Sequence, residues 1–305
     1  MTAGTPAMTA RDWALLLILA ALWGGTFFFI AVVVHDLPTL TIVAARVSLA
    51  AAALGLFAWA VGLRLPRDAA TWRDFVVLGV LNNALPFALN VWSQAHLASG
   101  LAAVFNATTP LFTVLVAHAL THDERLSGAK IVGVLIGLAG VAVLIGTDVL
   151  QDLGVAVVAQ LALLGAALSY AFGIVYARRV RHLAPTMIGL GQLCASTAMM
   201  VPVALALDRP WQLPLPDGTV IASVVCLAVF STALAYVIYF RLLTTAGATN
   251  ASLVTFLNPV SAILLGSLVL GERLAPHHFA GMALIFAGLM AIDGRLIRVL
   301  RRATV

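Results

Sequence analysis

Ten apolar runs, each long enough to cross a lipid bilayer, constrain this chain more than anything else in it. They cover residues 13–34, 39–63, 74–94, 98–120, 128–146, 154–177, 184–207, 219–241, 247–270 and 276–294. A hydrocarbon core of about 30 Å takes roughly 20 apolar residues per crossing. Lipid offers no partner to a backbone N–H or C=O, so apolar runs of this length cross as helices. Only 10% of the 305 residues are charged, against about 25% in a soluble domain. The expected fold is therefore an all-α, multi-pass membrane protein of ten transmembrane helices. The breaks HDLP, RLPRDAATWR, THDERLSG and ARRVRHLAP are too short to hold a soluble domain. The first run is too long for a signal-peptide core and lacks a cleavage site, so it reads as a retained helix. Cys194 and Cys226 fall in different runs, with no disulfide framework and no metal spacing.

The basic residues test that count, because cytoplasmic loops are enriched in Lys and Arg. With ten crossings, one side collects Arg11, Arg64, Arg67, Arg73, Arg125, Lys130, Arg178, Arg179, Arg181, Arg241, Arg295, Arg298, Arg301 and Arg302. The other side holds Arg209 and Arg273, and Arg46 lies inside the second run. Both termini are expected to be cytoplasmic, in the inner (plasma) membrane. The pI near 9.9 then reflects loop asymmetry, and no nucleic-acid partner is expected.

A long repeat divides the chain. NATTPLFTVLVAHALTHDERLSGAKIVGVLIGLAGVAVLIG begins at Asn106 and FLNPVSAILLGSLVLGERLAPHHFAGMALIFAGLMAIDG at Phe256. Each places a proline in an apolar run (Pro110, Pro259), then Glu-Arg-Leu at 124–126 or 272–274. Glycines follow nine and sixteen residues after the glutamate, Gly133 and Gly140 in one copy, Gly281 and Gly288 in the other. The boundary falls between residues 1–147 and 148–305, five runs to each half. Five is odd, so the second half enters the membrane from the opposite side. That is the inverted repeat from which many secondary transporters are built, with the substrate near the midplane.

These residues, with LWGGTFFF in the first run and AARVSLAAAAL around Arg46 in the second, resemble the drug/metabolite transporter superfamily, specifically ten-helix proteins made of two EamA-type repeats. The resemblance covers essentially the whole chain. It implies export of small metabolites by alternating access. In character the chain is most similar to amino-acid exporters, including aromatic amino-acid exporters. A multidrug or other metabolite exporter of the same fold is the alternative.

Polar residues inside the runs are the candidate site, since intramembrane polar groups face other helices or a water-filled space. The third run contains VLNNALPFALNVWSQAHL, in which Asn83, Phe87, Asn90 and Gln94 recur at steps of four, three and four. On a 3.6-residue helix they form one stripe, either a cavity wall or interhelical glue. Pro86 breaks the helix there, and Trp92 offers an aromatic wall or an interfacial anchor. Asn106, Thr109 and Thr113 surround Pro110, and Thr255 and Asn258 precede Pro259, joining polar side chains to proline-weakened backbone. Thr232, Tyr236 and Tyr239 share a face of the eighth run, with Gln160 and Tyr170 on the sixth. Trp23 lies at mid-depth beside Gly24 and Gly25, a pair suited to close helix approach or bending.

Arg46 is the one full charge inside hydrocarbon. It holds a substrate carboxylate, or it snorkels outward or caps carbonyls; because the resemblance implies that arginine here is a common feature, the structural role is favoured. All acidic residues lie in loops or at run ends, which argues against proton exchange and for a uniporter. Glu124 and Glu272 read as helix-linking residues. His118 reads as packed, and His277 and His278 point to different faces and make a poor metal pair. No cofactor is expected, nothing demands more than a monomer, and the partners are the substrate and membrane lipids. An intramembrane lipid-modifying enzyme would need a deep acid or metal cluster that the runs lack, so the chain is not read as an enzyme; a channel is the remaining alternative.

Overall fold

In the computed structural model, residues 8–121, 127–146 and 154–292 are described, and among them every regular element is helical. Among the described residues, seven helices are long and apolar enough to cross a membrane: α1 (Ala10–Val33), α2 (Thr39–Ala60), α3 (Ala69–Gln94), α4 (Ser99–Leu120), α6 (Val155–Val180), α7 (Pro185–Leu207) and α8 (Gly218–Thr245). Three apolar helices are shorter: α5 (Gly128–Ile145), α9 (Val254–Val269, preceded by the turn Ala248–Ala251) and α10 (Pro276–Ile292).

Helix ends follow local chemistry. Asp68 and Asp217 are the N-caps of α3 and α8, each carboxylate accepting from the backbone N–H three residues on, Thr71 and Val220, at 2.8 Å. The caps explain a difference from the sequence reading. They start α3 at Ala69 instead of residue 74, so that Arg73 lies within the helix, and α8 runs on past Arg241 to Thr245.

Packing partners are exchanged between the halves in matched pairs. α2 lies against α7, and α5 against α10; α1 packs on α9 while α6 packs on α4; α3 packs on α7 while α8 packs on α2. Equivalent helices run antiparallel. Thr41 at the start of α2 meets Asp208 at the end of α7, while Gly55 lies near Leu190. In α5 and α10, a Cβ on Gly133 would stand 2.6 Å from the Gly288 carbonyl oxygen, and one on Gly140 2.8 Å from that of Gly281. These are the four glycines of the repeated motif, and their pairing is crosswise. Small residues are needed where two helix backbones touch without side chains between them.

Among the described residues the buried clusters draw on both halves. The largest buried cluster joins Val43, Val47 and Leu54 of α2 and Phe87 of α3 to Leu193 of α7 and Leu227 of α8. A second joins Leu101 and Phe105 of α4 to Ala262 of α9 and Ile285 of α10. Acidic residues fasten the halves at the rims. Thr245 donates to Asp12 and Tyr176 to Asp74, at 2.8 and 2.7 Å. At the other end Asp208 accepts from Thr41 N–H and hydroxyl, and Glu272 from Ser99 N–H and hydroxyl. Glu272 thus caps α4, a linking role as the sequence suggested; Glu124 lies outside the described residues.

Candidate functional site

The deformation that builds the site is a π turn in the middle of α3 and another in the middle of α8, Val80–Ala84 and Val229–Leu234. In α3 the cause is Pro86. Its ring has no N–H and would clash with the carbonyl four residues back. The widened turn lets Leu85 N–H reach the Val80 carbonyl, five residues back, and leaves the Leu81 carbonyl without the N–H that Pro86 lacks. Ser169 of α6 supplies the missing donor, its Oγ 2.8 Å from Leu81 O. In α8 no proline is present. There Thr232 Oγ1 donates to Leu227 O, five residues back, at 2.9 Å, and Ala235 N–H reaches Phe230 O. Such bulges recur at functional sites because they re-aim side chains and expose carbonyls.

Between the two π turns lies a polar network that crosses from one half to the other. Asn82 Nδ2 donates to Gln192 Oε1 (3.0 Å), Gln192 Nε2 to Tyr236 Oη (3.4 Å), Tyr236 Oη to Asn83 Oδ1 (3.2 Å), and Asn83 Nδ2 to Ser196 Oγ (3.1 Å). Ser196 donates in turn to the Gln192 and Gly79 carbonyls. Gly191 and Gly173 make the approach possible. A side chain on the first would run into Phe75, and one on the second into Asn82.

Arg46 sits beside this network and is 5% exposed. Its Nε donates to Thr232 Oγ1 at 3.0 Å, and its guanidinium carbon lies 3.6 Å from the centroid of the Phe87 ring, a cation–π contact. Tyr170 and Tyr236 are within its electrostatic reach. Of the two forms expected of the structural role, neither outward snorkelling nor a carbonyl cap describes this side chain; it is buried and ties α2 to α8 and α3. The side chain turns inward because a hydroxyl and an aromatic face at the π turns receive it.

The other expected site residues divide. Asn83, Phe87 and Tyr236 are brought together with Arg46. Trp23 reaches them through an aromatic row, its ring 5.2 Å from Tyr239, which adjoins Phe240, which adjoins Tyr236. All four residues of the Asn83-to-Gln94 stripe are buried, but only Asn83 and Phe87 contact the network or Arg46. Asn90 is buried and turns its Nδ2 to the Pro86 carbonyl at 2.7 Å, and Gln94 meets only the Asn90 carbonyl, at 3.5 Å. Trp92 lies against His96 at the end of α3, away from the network. Asn258 is buried on α9, and Asn106 is half-buried where α4 breaks at 107–108; Pro110 begins the next helical segment, whereas Pro259 stays inside a continuous helix. The side-chain oxygens of Asn90, Gln94, Asn106 and Asn258 are buried without a protein hydrogen bond, as are those of Gln160, Thr26 and Ser231.

Of the glycine pair, Gly24 is required and Gly25 is not. A Cβ on Gly24 would stand 2.6 Å from that of Ser261, whereas one on Gly25 finds its nearest neighbour at 3.7 Å. His277 and His278 do not splay to different faces; their rings lie 4.1 Å apart, and His278 Nδ1 accepts from Ala275 N–H. Among the described residues no group of three metal-ligating side chains forms. Gln192, Ser196 and Ser169 were not anticipated. Gln192 and Ser196 stand four apart, the spacing that would have marked a polar stripe on α7.

The EamA-like transporter family model matches residues 12–146 and again 157–292. The uncharacterized inner membrane transporter YedA of Escherichia coli K12 is 30% identical over 290 residues, 92% of this chain and 90% of that protein. A probable amino-acid metabolite efflux pump of the same organism is 28% identical, covering 92% and 94%. A probable terminal-alkyne amino-acid exporter of Streptantibioticus cattleyicolor is 26% identical, covering 96% of each. One crystal structure superposes with a TM-score of 0.67 over 96% of this chain and 99% of that one, at 20% identity, a likeness of fold.

Proposed function

Because the chain belongs to the EamA-like transporter family, a multi-pass membrane transporter, we propose that it exports small polar metabolites, amino acids foremost, by alternating access. The two halves are residues 1–147 and 148–305, five helices each, inverted with respect to one another and with both termini in the cytoplasm. The doubled family match and the antiparallel pairing of α2 with α7 and α5 with α10 support that division.

The observation that carries the reading is the network from Asn82 and Asn83 to Gln192, Ser196 and Tyr236. Amides and hydroxyls both donate and accept, so they can trade protein partners for a substrate's polar groups at little net cost. Every link in this network joins the first half to the second or lies within the second. Substrate binding there competes with the contacts that hold the halves together, which is what couples occupancy to rocking. Among the described residues the acidic side chains lie at helix ends and in loops, not at mid-depth, which supports uniport down the substrate gradient. The names of two relatives support amino acids as cargo.

Efflux of labelled amino acids from loaded vesicles tests this. Asn83→Ala and Tyr236→Ala should abolish most of the flux with the protein still inserted, and undiminished flux in both would remove the site. A reporter fused at Gln151, outside the described residues, should read as extracytoplasmic. A cytoplasmic signal there would overturn the inversion.

A further inference from the structure

We propose that Arg46 anchors a substrate carboxylate and Asn90 accepts the adjacent ammonium, so that the carrier selects molecules bearing both charges. This rests on transport through the site described above, and it assigns binding to an arginine that the sequence favoured as structural. The guanidinium is buried, yet no carboxylate among the described residues pairs with it. Among the described residues its one hydrogen bond is from Nε to Thr232, and Phe87 covers one side. Nη1 and Nη2, the fork that pairs bidentately with carboxylate, have no protein acceptor among the described residues. A buried cation with an unused fork is a site for an anion, because an uncompensated charge in hydrocarbon is costly to maintain. An arginine that served only to cap helix ends would spend those nitrogens on carbonyls.

Asn90 adds the second charge. Its amide orientation is fixed by chemistry: the Pro86 carbonyl 2.7 Å away can only accept, so nitrogen faces it and Oδ1 faces away. That Oδ1 is buried with no partner. Asn90 stands three residues beyond Phe87, about 4.5 Å along the helix axis at 1.5 Å per residue. The unpaired oxygen and the guanidinium held over Phe87 thus belong to neighbouring turns of α3. Amines, esters and amides, which lack the anion, would leave the fork empty and be rejected.

Two measurements on the full-length protein separate this proposal from the transport reading. Uptake of each of the twenty labelled amino acids into proteoliposomes tests transport; uptake of none overturns that reading, and the anchor is then decided by the second measurement alone. That measurement is thermal stabilisation of the purified protein by L-phenylalanine, L-leucine and L-threonine, each beside its carboxamide and its N-acetyl derivative. The free amino acid should half-saturate at least about tenfold below its carboxamide. Arg46→Gln should erase the difference, Arg46→Lys should keep a reduced one, and Asn90→Leu should erase only the penalty for N-acetylation. A carboxamide that binds as well as its acid, no stabilisation by any of the three acids, or an acid preference that survives Arg46→Gln would each overturn the anchor. Should Arg46→Gln fail to accumulate, the wild-type ligand series and Arg46→Lys decide: an undiminished preference in the lysine variant counts against the bidentate fork.

Discussion

α3 and α8 hold corresponding places in the two halves and share a frame: an aspartate N-cap, an α-helical first stretch, a π turn at mid-depth and an α-helical second stretch. They reach the π turn by opposite means. In α3 a proline removes a donor and a serine on another helix replaces it; in α8 a threonine within the turn bonds back five residues and also holds Arg46. The same backbone shape from unrelated side chains indicates that the shape is the common requirement. What each turn presents differs: amides from α3, hydroxyls from α8.

The comparison can be broken at its single point of dependence. Thr232→Val removes the partner of the Leu227 carbonyl and of Arg46 Nε together, and should cost about 1–3 kcal/mol, read as a lowered melting temperature with most of the transport lost. If both survive, α8 does not depend on Thr232. Ser169→Ala should cost less, about 1 kcal/mol, because α3 divides the task between two residues. Its cost should shrink in a Pro86→Ala background, where residue 86 regains an N–H for the Leu81 carbonyl. An unchanged cost in that double-mutant cycle would refute the pairing. Tyr236→Phe removes one cross-half hydrogen bond to Asn83 and should reduce flux more than melting temperature.

The smallest effect concerns the caps. The Thr71 backbone N–H holds the Asp68 carboxyl below the usual carboxylate range. A carboxyl depressed by folding stabilises above its unfolded value of about 3.9 and loses that contribution as the pH falls below it. Asp68→Asn should therefore flatten the loss of melting temperature between pH 5 and 3 (about the range set by those values) and change little at pH 7. A steeper acid loss in the variant would contradict the assignment.

Much of the frame was legible in the sequence because its signals are one-dimensional. Hydrocarbon thickness sets the run lengths. The glycines at fixed distances from Glu124 and Glu272 carry the repeat, and they turned out to be the residues that meet between α5 and α10. The site was less legible. A 3.6-residue period joins Asn83 to Gln94, and all four are buried, but the period does not tell that Asn83 bonds across to the other half while Asn90 and Gln94 turn to carbonyls of their own helix. The direction of Arg46 depended on Thr232, which is remote in sequence. Gln192 and Ser196 stand among small residues on α7, where the pattern reads as packing until Asn82 and Asn83 are placed opposite.

The crosswise glycine contact has one more consequence. Gly133 meets Gly288 and Gly140 meets Gly281, so each of the two faces presents to the other the arrangement it receives. This is the contact rule of an isologous homodimer, written here within one polypeptide. A change on one of these faces is therefore met by its counterpart, which holds this axis symmetric while the π turns of α3 and α8 differ in their side chains.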